Sequence, residues 1–230
     1  VRLFDAAGRP ALQLPQVLVA LSPRSVLTLS LEQLVIRGAD LDVRRTSDGR
    51  LFLAGIAVTA ASPEDTHVLA DWLLSQDEWA LLDGTVRWTD EQQGVSVVLN
   101  EVDAVMRNPG QRHQLRIDAT PPPQWGERFS LRGIFKQPLL SRSDSNWRQW
   151  SGQLYGQFSR IDLSALQAYT PSAGMKVERG HGALRAWVDV ANGRFTGATA
   201  DVALDDVQLR LGPQQPLDFQ RLAGRLGWSD

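Results

Sequence analysis

The sequence contains no cysteine. Disulfide bridges, thiolate metal sites and cysteine nucleophiles are therefore excluded, and the redox compartment stays open. Acidic and basic residues nearly balance, with a formal net charge of -2, so the chain lacks the concentrated basic surface that nucleic-acid binding requires. No apolar run approaches the ~20 residues of a membrane-spanning helix. The longest candidate, Leu51–Ala61, is short and is interrupted by Gly55.

Recognisable catalytic motifs are also missing. The three histidines fall in different predicted elements without the spacing of metal ligands, so we expect neither a metal nor a cofactor. Asp83, Asp90 and Glu91 could be read as an acid–base pair, but they flank a predicted turn and a strand end, where solvated carboxylates are common. No serine lies in a nucleophile elbow, and no glycine-rich phosphate loop is present. We therefore expect that the protein is not an enzyme.

The clearest pattern in the chain is the alternation of apolar and polar residues over Trp79–Ile117. A period of two predicts strands that have one apolar and one polar face. Gly, Asn and Pro favour turns, and we read three such places as connections between strands: Asp83-Gly84, Gln93-Gly94 and Asn108-Pro109-Gly110. The segment is therefore predicted to be an antiparallel meander.

Shorter strands are predicted before this meander, and longer ones after it. The early strands are predicted at Val1–Phe4, Leu12–Leu21, Val26–Leu31, Leu34–Arg37, Ala39–Arg45 and Leu51–Val58. The later strands are predicted at Phe129–Phe135, Leu154–Ser159, Leu184–Val190, Ala198–Leu204 and Val207–Leu211. Asn192-Gly193 predicts a tight hairpin, and Asp205-Asp206 predicts a break between strands. Ala223–Asp230 resembles Asp83–Asp90 in sequence, which indicates a recurring strand unit.

Two helices interrupt this pattern. Ser62 can cap a helix that begins at Pro63 and runs to about Gln76, with one apolar stripe. Asp162 is expected to cap a short helix that continues through Tyr169. We predict a packing function for the apolar stripe of the first helix.

The apolar side of so many strands needs a cover. A helix of about 14 residues is only about 20 Å long and cannot cover a wide sheet. A second sheet, closure into a barrel or a non-protein ligand would each exclude water from that side. Composition does not choose between these solutions. The eight tryptophans suit places where an apolar phase meets water.

Several strand-and-turn phrases resemble the AsmA-like superfamily, and within it the YhdP type of large proteobacterial envelope proteins. The most distinctive phrase is LLDGTVRWTDE at Leu81–Glu91. The other phrases are Asp40–Arg45 with Asp48–Arg50, Leu99–Val102, Arg107–His113, Phe129–Gly133, Trp150–Tyr155 and Gly180–Asp189. The resemblance covers most of the chain, and none of its motifs is catalytic.

The resemblance implies a mainly β fold, namely a long curved antiparallel meander sheet that forms an open hydrophobic groove, or half-barrel, with the two helices attached. It also implies a bridge-like lipid transfer protein of the periplasm, anchored in the inner membrane of a Gram-negative bacterium by one amino-terminal helix. The implied partners are phospholipid acyl chains, the inner membrane and other envelope proteins. Because the chain begins with Val1 and ends within a predicted strand, we expect an internal, amino-terminal-proximal fragment without that anchor helix. We expect residues 1–230 to form one segment of this groove domain, with a possible sub-boundary near residues 120–128.

We predict that inward apolar side chains line the groove and provide a low-dielectric path for acyl chains. The predicted groove residues are Val86, Trp88, Val97, Leu99, Leu115, Ile117, Phe129, Leu131, Leu184, Ala186, Val188, Val202 and Leu204. The alternative function is an envelope assembly or interaction scaffold, similar to the related TamB branch, in which the sheet closes into a sandwich or barrel. Co-purified phospholipid would distinguish the groove from the closed scaffold.

Overall fold

A computed structural model of the chain describes residues 2–4, 8, 10–20, 31–57, 76–138, 149–164, 175–192, 194–211 and 216–229. These residues form fifteen strands that all belong to one sheet. The short strands are β1 (Arg2–Phe4), β2 (Pro10–Gln13), β3 (Gln16–Ala20), β4 (Gln33–Arg37), β5 (Asp40–Arg45), β6 (Leu51–Leu53) and β7 (Ile56–Ala57). The longer strands are β8 (Glu78–Asp90), β9 (Val95–Arg107), β10 (Arg112–Thr120), β11 (Phe129–Lys136), β12 (Ser151–Asp162), β13 (Met175–Ala191), β14 (Arg194–Leu211) and β15 (Leu217–Ser229).

From β8 to β15 the sheet is an antiparallel meander, because each strand pairs with the next one in sequence. Tight turns explain this order where the connections are short, as from β8 to β9, β9 to β10 and β13 to β14, since a short connection can only return the chain beside the strand it has just left. Asn192 takes the positive φ of 51° that its turn requires. The two ends of the strand order, β1 and β15, do not pair with each other. The predictions of a mainly β fold and of a sheet that is not closed are therefore confirmed.

The amino-terminal strands depart from the predicted antiparallel pattern. β4 and β5 both pair with β8 in the parallel sense, β4 along Glu78–Leu82 and β5 along Thr85–Asp90. The sheet is consequently mixed, and the prediction of an entirely antiparallel meander is wrong in this part. Parallel pairing requires a long connection, and residues 58–75, between β7 and β8, lie outside the described residues.

Neither predicted helix is found in the part of the chain that the structure describes. The predicted helix over Pro63–Gln76 lies outside the described residues except for Gln76, which stands in an irregular segment before β8. Asp162 does make the expected capping contact, because its Oδ1 accepts the backbone N–H of Ser164 at 2.9 Å. The rest of that predicted helix, after Ser164, also lies outside the described residues. No helix in the described residues has the length and apolar character that crossing a membrane requires.

Some predicted strand limits are also corrected. The strand predicted over Leu12–Leu21 is divided between β2 and β3 at Leu14-Pro15, because Pro has no N–H for the ladder. The strand predicted over Leu51–Val58 is a small hairpin of β6 and β7, since Ala54 and Gly55 both have positive φ. The strand predicted over Val26–Leu31 lies outside the described residues apart from Leu31.

A row of irregularities crosses the sheet and bends it. Non-glycine residues have positive φ at Asp83 in β8, Glu101 in β9 and Asp206 in β14, and register shifts accompany the first two. A further shift lies between Phe158 and Ile161 in β12. Bulges of this kind bend strands and increase their twist. We refer to this row as the crease.

Two predicted breaks between strands are wrong, because both positions lie inside continuous strands at the crease. Asp83-Gly84 was expected to connect two strands, but β8 runs through it without interruption. Asp205-Asp206 likewise lies inside β14. Asp tolerates positive φ in turns and in bulges alike, so the residue type alone does not distinguish the two.

Candidate functional site: an open apolar face with a cavity at the crease

Register assigns every side chain of the meander to one of two faces. Directly paired residues share a face, and so do alternate residues along one strand. Val86 and Trp88 therefore lie on the same face as their partners Leu99 and Val97. The same reasoning continues from strand to strand as far as β15. All of the predicted groove residues then fall on this one side, which we call the apolar face: Val86, Trp88, Val97, Leu99, Leu115, Ile117, Phe129, Leu131, Leu184, Ala186, Val188, Val202 and Leu204. Their contact with lipid remains a prediction.

The bulges of the crease keep this face apolar on both sides of the crease. A bulge adds one residue to the strand, which shifts the alternation by one position. Even-numbered positions on one side of a bulge can therefore face the same way as odd-numbered positions on the other side. Additional members of the apolar face beyond the crease are Trp79, Leu81, Val102, Ala104 and Met106. An unbroken period of two does not predict them, because the bulges shift the alternation within each strand.

Most of the apolar face is only half covered. Val97 and Leu204 are 6% exposed, whereas the other predicted groove residues are half-buried. Exposure increases toward β15, where Leu226 is 61% and Trp228 53% exposed. All described strands belong to one sheet, so no second sheet among them covers this side.

A cavity of about 290 Å³ lies on the apolar face next to the crease. It is lined by Trp88, Val97, Leu99, Pro121, Trp125, Glu127, Phe129, Leu131, Phe158, Arg160 and Ile161. Its volume is at the small end of pockets that hold small molecules, and its walls are mostly apolar, as in such pockets. β8 and β12 are four interstrand steps apart in the strand order, or roughly 19 Å in a flat sheet. Side chains from both strands line the same cavity, so the apolar face is concave here.

The connection between β10 and β11 forms one wall of this cavity. Pro121 and Trp125 line it, and Trp125 is half-buried. This connection is tied to β12 by a bridge between Gly126 and Ile161. The sub-boundary predicted near residues 120–128 falls in this connection and stays a prediction.

Only part of the predicted groove set meets at this cavity. Trp88, Val97, Leu99, Phe129 and Leu131 line it, and the remaining predicted residues extend the apolar face around and beyond it. The other lining residues come from the β10–β11 connection and from the end of β12. Sequence reasoning did not place them there, because their approach depends on a contact between distant parts of the chain.

The opposite face of the sheet is polar and carries cross-strand ion pairs. Arg107 pairs with Glu78 at 2.5 Å and Arg128 with Asp103 at 2.8 Å. Further along, the Asp201 carboxylate accepts from Arg225 at 2.6 Å, and this contact lowers the pKa of Asp201. Exposed ion pairs add little stability individually, but they show that this side faces water. The two faces therefore differ in chemistry over the middle of the meander.

The carboxylate of Asp90 is an exception to the expected solvation of acidic residues. It is fully buried and makes a two-point ion pair with Arg45, with an Nε–Oδ1 distance of 2.9 Å. The N–H groups of Gln92 and Gln93 also donate to it. Burial by itself raises the pKa of Asp90, but these donors outweigh burial and the pKa lies below its ordinary value. The interpretation of Asp90 as a solvated carboxylate is therefore wrong.

A polar cluster lies at the other end of the strands, on the side of the apolar face, because His113 pairs with Phe135 and shares the alternation of Leu115 and Ile117. His113 is 1% exposed and its Nδ1 lies 2.8 Å from Oδ1 of Asn108, whose Nδ2 donates to the carbonyl of Gln76. The ring of Trp150 stacks on His113, with centroids 3.8 Å apart. These contacts give His113 a packing and hydrogen-bonding function in the structure.

Comparison with known proteins identifies a protein family. A protein-family model described as "YhdP protein" matches residues 1–230, the whole chain. Neither a curated protein nor a solved structure matches the chain.

Proposed function

The chain belongs to the YhdP protein family, an AsmA-like family of the Gram-negative cell envelope, and from this membership we propose a function in lipid transport. The described sheet would be a segment of a periplasmic groove, in a protein anchored in the inner membrane. The groove would carry phospholipid acyl chains between the inner and outer membranes. The function is one of binding and conduction, without catalysis.

The observation that carries this proposal is the open apolar face. A soluble protein rarely exposes a continuous apolar surface unless it binds something there. Acyl chains fit this surface because they need an apolar contact and no directional partner. Burying a methylene contributes about 0.8 kcal/mol, so six methylenes of one chain would contribute about 5 kcal/mol before the costs of association. The polar face would keep the outside of the groove in water.

The scaffold alternative is supported by a different feature. Among the described strands, β15 pairs only with β14, and an unpaired strand edge can add a strand from another protein. The closed form of that alternative, a sandwich or barrel, does not agree with the single open sheet. An open edge is compatible with the groove as well, so we favour lipid transport.

Site-specific cross-linking tests the proposal directly. A photoreactive amino acid at Leu99, on the apolar face, should form adducts with phospholipid when the chain is expressed in a Gram-negative host. The same amino acid at the neighbouring Val98, which is 38% exposed on the opposite face, is the matched control. Mass spectrometry of the purified protein would detect the adducts. Equal labelling at both positions, or no phospholipid at either, would contradict the groove.

A further inference from the structure

Two side chains of opposite charge stand at the mouth of the crease cavity. Glu127 and Arg160 both line the cavity, and both are exposed. The other lining side chains are apolar or aromatic. The cavity therefore combines an apolar interior with one anionic and one cationic group where it meets water.

The backbone places these two residues side by side. The N–H of Glu127 donates to the carbonyl oxygen of Arg160 at 3.0 Å, and the N–H of Asp162 donates to that of Trp125 at 2.9 Å. Gly126 lies between these bonds with φ 143°, and a Cβ there would lie 2.2 Å from the Arg160 oxygen. Only glycine permits this approach, so the backbone fixes the spacing of the two charged residues.

Neither charge is neutralised by the part of the chain that the structure describes. The neighbouring Arg128 donates to Asp103 at 2.8 Å and also contacts Glu101. Glu127 and Arg160, in contrast, form no ion pair with any described residue or with each other. As far as the described residues are concerned, both side chains are therefore available to a ligand.

We propose that this mouth is a head-group site for a zwitterionic phospholipid of the ethanolamine type. The Arg160 guanidinium binds the phosphate, whose oxygens match its planar set of N–H donors. The Glu127 carboxylate accepts hydrogen bonds from the primary ammonium, and the start of one acyl chain occupies the cavity. This inference depends on the proposed function and adds the lipid class that this part of the groove favours.

The test compares three lipids that have identical acyl chains but different head groups. Phosphatidylethanolamine carries a phosphate and an ammonium, phosphatidylglycerol carries the phosphate alone, and diacylglycerol carries neither. Transfer of each lipid from vesicles of neutral carrier lipid to the whole 230-residue chain is measured with a fluorescent acyl label. Wild-type protein should bind phosphatidylethanolamine most tightly.

Two substitutions give opposite patterns. Glu127→Gln should weaken phosphatidylethanolamine binding about threefold and strengthen phosphatidylglycerol binding, because it removes a carboxylate that attracts the ammonium and repels the extra negative charge. Arg160→Gln should weaken both phospholipids about fivefold. Neither change should affect diacylglycerol. Arg132→Gln, an exposed arginine outside the cavity lining, and Glu32→Gln are the matched controls.

The outcomes separate this inference from the function on which it depends. If wild-type protein binds all three lipids equally, or if Glu127→Gln weakens all three together at an unchanged thermal midpoint, the head-group site is refuted while the groove stands. If none of the three lipids binds, both are refuted. A fold defect in either variant would show as a lower thermal midpoint and as a loss of diacylglycerol binding.

Discussion

Replacing Gly126 with alanine should open the wall of the cavity. The new Cβ would lie 2.2 Å from the carbonyl oxygen of Arg160, a separation that real Cβ atoms do not reach, so the β10–β11 connection must move away from β12. The backbone bonds from Glu127 to Arg160 and from Asp162 to Trp125 would then be lost. Each is worth about 0.5–1.5 kcal/mol, and the φ of 143° adds about 1 kcal/mol of strain for a residue with a Cβ.

These contributions predict a loss of about 2–4 kcal/mol in the free energy of unfolding. Gly110→Ala is the matched control, because Gly110 also has positive φ, 65°, but nothing lies within 4 Å of its Cβ position. That control should lose only about 1 kcal/mol, from backbone strain alone. Urea titration followed by tryptophan fluorescence gives both values, and lipid transfer measures the cavity.

The two variants should therefore separate in both assays. Gly126→Ala should bind less lipid as well as unfold at lower urea, whereas Gly110→Ala should keep its lipid binding. Equal stability of the two variants would refute the argument from close approach. A large loss of stability in Gly126→Ala without any change in lipid binding would show that this wall does not form part of the lipid path.

Further predictions concern the groove, acid sensitivity and packing. Leu99→Asp should block lipid passage, because it places an unpartnered charge in an apolar channel. Val98→Asp, on the opposite face, should leave the rate of lipid transfer unchanged. Equal effects of the two substitutions would contradict the assignment of faces. The lowered pKa of Asp90 means that its ion pair stabilises the fold above the unfolded pKa of about 3.9. This stability should disappear as pH falls through the lower folded pKa, and Asp90→Asn should flatten that part of the urea-midpoint profile. Trp150→Ala should lower the free energy of unfolding by about 3–5 kcal/mol in the urea titration, because Trp150 is 6% exposed. Trp228→Ala should lower it by under about 1 kcal/mol, because Trp228 is 53% exposed. The second variant should nevertheless bind less lipid.

Much of the fold could be predicted from the alternation of apolar and polar residues along single strands and from the short turns between them. Val86 and Trp88 in β8 share a face with Leu184 and Val188 in β13 because a period of two and antiparallel neighbours fix register locally. These are properties of residues a few positions apart, and they can be read without coordinates. The family resemblance was visible in the same strand-and-turn phrases, since they recur as short contiguous stretches.

Other features required the tertiary structure. Asp83 and Asp206 look like turn residues in sequence, yet they lie in bulges within continuous strands, because a turn and a bulge ask for the same positive φ. The burial of Asp90 depends on Arg45, 45 positions away, and the cavity depends on Gly126 meeting Ile161.

Within each regular stretch of strand, the sequence by itself determined which residues share the apolar side, because neighbouring positions on a strand must point in opposite directions. Beyond the bulges the alternation inverts, and only strand pairing shows which residues continue that side. Only the tertiary structure decided that this side stays open and where it deepens into a cavity. Curvature arises from bulges aligned across many strands, and their alignment is a property of strand pairing over the whole chain rather than of any single segment.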